Sequence, residues 1–290
     1  MKSGTRKRIA TAVAIVSAAT ALMVTSPGSS SAAATPKLMA YGITADGTTM
    51  ASFSTDTPGV LNWVRDVTGL SGDTKLVGID HRVQNGLMYG LGEKGGIYTI
   101  STPPTTTDVV VTKVSQLQIA LYGTSFDIDF NPAADRLRVI SNNGQNLRHN
   151  LNDGTTVADS ALNLPPLTTA ATGVTGAAYT NNDLVGSTGT TLTDVDTYND
   201  QITIQSPPNA GSLVPTGLLG FDANLEAGYD IFSTLTNGKT TANSAFATLT
   251  PYNGKASFYS IDILTGAPTL IGTFPTLVPL TDFTISISGT

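Results

Sequence analysis

Cysteine is absent from the 290-residue chain, histidine occurs twice, and charged residues make up only 12%. Without cysteine there are no disulfides, thiolate nucleophiles, cysteine zinc sites or iron–sulfur clusters. Two histidines cannot build a three-histidine zinc centre. Glycine (29) and proline (15) are too few for a collagen-like or low-complexity chain. The 40% of hydrophobic residues is enough for a core. A chain of this length buries roughly three quarters of its unfolded surface, so folding needs no covalent staples.

The N-terminus is basic (Lys2, Arg6, Lys7, Arg8) and leads into an apolar run over residues 9–24. A Ser/Pro/Gly stretch then ends at Ala32-Ala33-Ala34. This order is that of a secretory signal peptide, expected over residues 1–34. The apolar run has 16 residues, shorter than the ~20 of a spanning helix; an uncleaved anchor is the alternative. With no cysteine to carry a lipid, a bacterial lipoprotein is excluded. Cleavage removes four cations and no carboxylate, leaving 11 Lys+Arg against 21 Asp+Glu, a net charge of −10. That sign disfavours nucleic acid, whose binding needs phosphate neutralisation, and anionic membrane surfaces. The expected location is extracytoplasmic, in a bacterium, with no stable membrane insertion after cleavage.

Residues 35–290 read as one all-β domain. Segments 87–92, 97–101, 109–114, 137–141, 201–205 and 257–263 are short, rich in β-branched and aromatic residues, and bounded by Gly, Pro, Asn and Asp. A hairpin pattern around Tyr259, Ile261 and Asp262, closed by Thr265-Gly266, recurs around Val195-Asp196, around Leu147 to Asp153, and at Ile97 to Ser101. A second element precedes each: Gly78-Ile79-Asp80-His81, Phe126-Asp127-Ile128-Asp129-Phe130, Gly176-Ala177-Ala178-Tyr179 and Gly228-Tyr229-Asp230-Ile231. Their starts at 78, 126, 176 and 228 lie 48, 50 and 52 residues apart, the length of a four-stranded propeller blade. Thr281-Asp282-Phe283 opens a further unit that the chain does not finish, and residues 38–44, 50–54 and 60–67 supply the missing strands. The expectation is a β-propeller of five four-stranded blades, closed by pairing of the N- and C-terminal strands. Six blades, with residues 209–225 in the extra one, is the alternative.

Three stretches carry a family resemblance. Residues 131–148, from Asn131-Pro132 through Asp135-Arg136-Leu137-Arg138 to Gly144-Gln145-Asn146-Leu147-Arg148, resemble the central motif of the exported bacterial family called domain of unknown function 4394. Residues 78–92 look like its first motif, and Gln205-Ser206-Pro207-Pro208-Asn209-Ala210-Gly211 is similar to a third. The resemblance spans nearly the whole chain after the signal. It implies export and a repetitive β architecture, and carries no activity, cofactor or catalytic residue. His81-Arg82 stands where an aromatic and Arg are expected, which argues against His81 as a shared catalytic residue.

Two constellations could carry chemistry. Asp80, Asp127, Asp129, Asp230 and Asp282 sit on unit-opening strands, which line the channel of a propeller. Asp127 and Asp129, two apart, share a strand face. Converging carboxylates repel unless a hard cation such as Ca²⁺ lies between them, so Asp80, Asp127, Asp129 and Asp230 are the candidate metal ligands. The alternative is scaffolding, each carboxylate tying adjacent blades through backbone N–H groups. Arg136, Arg138 and Arg148, with Gln145 and Asn146, form a concentrated basic patch, read as a fork for a carboxylate or acidic sugar or as ion pairs to Asp129, Asp135 or Asp153. His149 could act as a base oriented by Asp153, Trp63 with Tyr41 offers a stacking platform, and no serine completes a triad.

The sequence therefore points to a non-enzymatic binding module for a small molecule, glycan or extracellular protein, requiring no cofactor. A Ca²⁺-dependent lactonase- or esterase-like hydrolase using the channel aspartates is one alternative, and a structural surface component another.

Overall fold

Runs of Val, Ile, Thr, Tyr and Phe between turn residues become strands throughout the described residues. The computed structural model describes residues 35–289; the expected signal peptide lies outside them. The strands are β1 (Met39–Thr44), β2 (Thr49–Ser54), β3 (Leu61–Thr68), β4 (Leu76–Arg82), β5 (Leu87–Gly92), β6 (Gly96–Ser101), β7 (Val109–Gln116), β8 (Phe126–Asn131), β9 (Arg136–Ser141) and β10 (Asn146–His149). They continue as β11 (Thr156–Ala158), β12 (Val174–Tyr179), β13 (Leu192–Asp196), β14 (Gln201–Gln205), β15 (Leu213–Leu218), β16 (Gly228–Thr236), β17 (Lys239–Leu249), β18 (Ser257–Ile261), β19 (Pro268–Thr273) and β20 (Leu280–Ile285). Apart from one 3-10 turn at Pro208–Ala210, the described residues contain no helix.

Three sheets have four strands each: β8 to β11, β12 to β15 and β16 to β19. The fourth has eight, in the order β20-β1-β2-β3-β7-β6-β5-β4. Its middle is a short parallel contact, Val67 against Val109 and Thr68 against Val110, joining two antiparallel four-strand runs at their outer edges. β20 pairs antiparallel with β1, from Ala40–Ile285 to Thr44–Leu280, so the last strand completes a sheet begun by the first. The innermost strands pack side by side, β4 on β8, β8 on β12, β12 on β16, β16 on β20 and β20 on β4. The order closes on itself and leaves no inner strand with a free side.

The core lies between successive sheets. Alternation sends one face of each strand toward each neighbouring sheet. Between β8–β11 and the preceding run, Ile128, Phe130, Leu137 and Val139 meet Tyr89, Leu91 and Ile97. Where the chain's two ends join, Phe258 meets Phe53 and Phe283 edge-on, with ring centroids 5.2 and 5.0 Å apart; such pairs add about 0.5–1.5 kcal/mol beyond area burial. The turn between β1 and β2 needs Gly47, whose φ is +64° and whose absent Cβ would lie 1.9 Å from the Leu76 carbonyl oxygen.

In each antiparallel meander the connections alternate between the two ends of the ring. Second-to-third-strand turns and the links to the next unit gather at one end, where the innermost strands begin. The remaining turns gather at the other.

Candidate functional site

The innermost strands carry side chains into the ring at two levels, two residues apart. Asp282 Oδ2 accepts the Ile79 N–H of the next inner strand at 2.9 Å, and Asp127 Oδ2 accepts that of Ala177 at 2.8 Å. One level further along, Asp80 Oδ2 accepts Phe130 N–H at 2.7 Å, Asp129 Oδ1 accepts Tyr179 N–H at 3.2 Å, and Asp230 Oδ2 accepts Ile285 N–H at 2.6 Å. Each carboxylate thus reaches the strand that follows it around the ring. Asp127, Asp230 and Asp282 also accept the N–H of their own next residue. Where the pattern places glycine, strands approach more closely: a Cβ on Gly228 would lie 2.6 Å from the Asp282 Cα.

All five carboxylates are buried. Burial first, then the charges of neighbouring aspartates, hold Asp80, Asp127 and Asp129 well above the ordinary carboxyl range. Burial pushes Asp230 up to about 6, and burial with repulsion from Asp230 pushes Asp282 up to about 8. The levels separate the candidate metal ligands. Asp80, Asp129 and Asp230 can place one carboxylate oxygen each within 4.8 Å of one another. Asp127 is not in that group: a two-residue offset along a strand is roughly 6.6 Å, which sets it on the level of Asp282, whose charge acts on it.

At the end nearer the trio, His81 lines a small cavity with Asp80, Asp230 and Asn182. Thr284 Oγ1 donates to Asp80 Oδ1 at 3.3 Å and lies 2.9 Å from His81 Nδ1. Burial lowers the His81 pKa to about 4, keeping the ring neutral.

The basic patch is turned inward. Arg138 and Arg148 face each other across β9 and β10, an arrangement of like charges made tolerable by Asp159. Arg138 Nη1 meets Asp159 Oδ2 at 2.7 Å, and Arg148 Nε and Nη2 hold its two oxygens at 2.6 and 2.8 Å. Arg138 is buried and also reaches Tyr179 Oη, Asn146 Oδ1 and Asn209 Oδ1. Its fork is filled by protein acceptors, and it ties the β8–β11 sheet to the next. Arg136 bonds the carbonyls of Ala134 and Asp135 in its own turn. Gln145 holds Tyr122 N–H and the Ala120 carbonyl; with Asn146 it lines a shallow hollow beside Asp159. The expected pairings to Asp129 and Asp153 do not form, because Asp159, on the link after β11, lies between the two guanidiniums; Asp135 pairs instead with Arg82.

His149 is buried, with Nε2 2.8 Å from Ser115 Oγ and Nδ1 2.9 Å from Thr156 Oγ1. Asp153 does not orient it: its oxygens are taken by Asn150 and Thr155. Trp63 and Tyr41 are neighbours, ring centroids 6.0 Å apart and tilted by 42°, and pack on the core between the first two strand runs.

The residues that sequence patterning misses lie at the opposite end, where the innermost strands begin. Two adjoining clefts share Ala45, Glu226 and Thr281. The narrower one adds Lys75, Phe126 and Asp282; the roomier one adds Lys255, Phe274, Pro275 and Pro279. Tyr122, Tyr198 and Tyr252, the exposed tyrosines among the described residues, are on links and turns of this same end. Nothing in the spacing of Lys75, Glu226 and Lys255 marks them, because each sits on a connection without periodicity.

A family model described as Domain of unknown function (DUF4394) matches residues 49–284. No curated protein matches the chain. Among solved structures, a chain of a nidogen/laminin complex superposes with a TM-score of 0.50 at 10% identity, covering 87% of this chain and 99% of that one. A protein of unknown function from Bacteroides thetaiotaomicron gives 0.45 at 14% identity, covering 88% and 68%. Glutaminyl cyclase from Myxococcus xanthus gives 0.44 at 11%, covering 79% and 100%. At these identities likeness speaks to the fold alone, which is all-β and propeller-like.

Proposed function

Starting from a chain that belongs to the DUF4394 family, we propose an exported, five-bladed propeller that binds a small ligand without transforming it. Five blades follow from treating the eight-stranded sheet as two four-strand runs joined by the Val67–Val109 and Thr68–Val110 contact. Export rests on the N-terminal sequence. The observation that carries binding is the paired cleft at one end of the ring: it is concave, apolar in the lobe of Ala256, Phe274, Pro275 and Pro279, more polar in the lobe of Thr44, Thr124 and Ser125, and edged by a few charged groups, the form of small-molecule sites. Exposed tyrosines on the same end, Tyr122, Tyr198 and Tyr252, add amphipathic contact area to that face. Glycans and extracellular proteins are the rival ligands for the same end.

The test is a thermal-shift screen of small metabolites and oligosaccharides against the native protein and Ala45→Trp, which fills the wall shared by both clefts. Ligands whose stabilisation disappears in the variant support the reading. Ligands that stabilise both proteins equally refute it.

The geometry of Asp80, Asp129 and Asp230 favours a second reading, a Ca²⁺ ion inside the ring. Oxygens within 4.8 Å of one another suit an ion that takes oxygen ligands at about 2.3–2.6 Å. A bound cation would relieve the repulsion that raises their pKa values, and would make a hydrolase acting through a polarised carbonyl the alternative activity. Calorimetric titration should give a binding heat that Asp80→Ala combined with Asp129→Ala abolishes; an unchanged titration would return these residues to scaffolding.

A further inference from the structure

Four charge-bearing side chains line the paired cleft: Lys75 and Asp282 in one lobe, Lys255 in the other, and Glu226 on the wall common to both. The Asp282 oxygens are taken by the Ile79 and Phe283 N–H groups, which leaves Lys75, Glu226 and Lys255 as the groups not held by the protein. The described residues form ion pairs at Arg82, Arg138 and Arg148, and none at these three positions. Among the described residues neither the Glu226 carboxylate nor the Lys255 ammonium has a protein hydrogen-bond partner, and Lys75 Nζ has only the electrostatic influence of Asp46. The lysines also oppose the strongly acidic balance of the chain. Opposite charges set around one concavity suit a ligand of inverse pattern: carboxylate, ammonium, carboxylate.

We infer that the cleft takes an α-amino dicarboxylate, free or as the N-terminal residue of a short peptide. This rests on the binding reading above and assigns its ligand class. The ligand ammonium meets Glu226, and its two carboxylates meet Lys75 and Lys255 as charge-assisted hydrogen bonds. The apolar floor at Ala45, Phe274 and Pro275 accommodates the methylenes between them. In the N-terminal peptide the side-chain carboxylate is kept while the backbone continues along the other lobe.

Isothermal titration with L-glutamate and with the dipeptide Glu-Ala tests the assignment and separates its two sources. Glutarate lacks the ammonium and 4-aminobutyrate lacks one carboxylate; each should bind about tenfold or more weakly than L-glutamate, the worth of one charge-assisted hydrogen bond. Glu226→Gln and Lys255→Ala, both exposed positions, should each weaken L-glutamate binding by a similar factor with an unchanged melting temperature. Equal binding of glutarate and L-glutamate, unaltered affinity in both variants, or no heat with either L-glutamate or Glu-Ala overturns the ligand class. If a neutral sugar stabilises the native protein and not Lys255→Ala, the cleft stands and the class falls. If no compound's stabilisation depends on the cleft residues, both fall.

Discussion

Stability of this protein should rise on mild acidification, against the usual behaviour of an acidic domain. A carboxyl whose folded pKa is raised holds its proton more tightly in the folded state. Its contribution is fully present below the unfolded value and is lost as pH rises through the folded one. Asp282 moves from 3.8 to about 8. Taking it from pH 8.5 to 6.5 adds about 2 kcal/mol. His81, lowered from 6.5 to about 4, works in the other direction, because its unfolded form gains the proton first; at pH 6.5 it subtracts about 0.4 kcal/mol. Asp80, Asp127 and Asp129, all raised, add with the sign of Asp282. The net is about 1.5 kcal/mol or more, or about 3–6 °C in Tm for a domain of this size. Calorimetric melts in EDTA at the two pH values measure it. Asp282→Asn should flatten the slope. Saturating Ca²⁺, which favours ionised carboxylates, should give its larger stabilisation at pH 8.5. A Tm that is level or higher at pH 8.5 in EDTA would refute the burial-and-repulsion account of the ring.

Other consequences follow from single contacts. Arg138→Met leaves Asp159, Tyr179 and Asn209 short of a buried partner and should cost about 3–5 kcal/mol in urea unfolding; a loss under 1 kcal/mol would contradict the inward-facing patch. Gly228→Ala places a methyl 2.6 Å from the Asp282 Cα and should cost about 1–3 kcal/mol, whereas Gly186→Ala, with open space around it, should leave the melting temperature within 1 °C or so, under the ~0.5 kcal/mol typical of surface changes. Deleting residues 280–290 removes β20, bares the edge of β1 and should yield aggregating protein; an intact monomeric melt would show that ring closure is dispensable.

The repeat was legible because strand alternation and turn chemistry are local: Gly or aromatic followed by Asp opens an inner strand, and Asp or Asn with Gly closes the hairpin. Pairing of the two ends was readable from the unfinished unit at Thr281-Asp282-Phe283, realised as β20 on β1. The level at which each aspartate sits was not readable, because alternation fixes a face within one strand and says nothing about register between units. Hence Asp127 leaves the trio and joins Asp282. The arginines could be placed on one face, but their partner Asp159 lies 21 residues beyond Arg138, on a link with no pattern. Asp153, closer in sequence to His149, is captured by its own turn through Thr155. The cleft groups Lys75, Glu226 and Lys255 come from three separate links, brought together only by closure of the ring.

Hydrogen exchange of the protein with and without saturating L-glutamate tests most directly that one end of the ring is the recognition face. Protection is predicted in residues 43–47, 73–77, 224–228, 250–256 and 274–282, and none in the turns of the other end, 83–86, 180–191 and 262–266. Protection absent throughout would overturn L-glutamate as the ligand, and protection confined to that other end would contradict the recognition face itself.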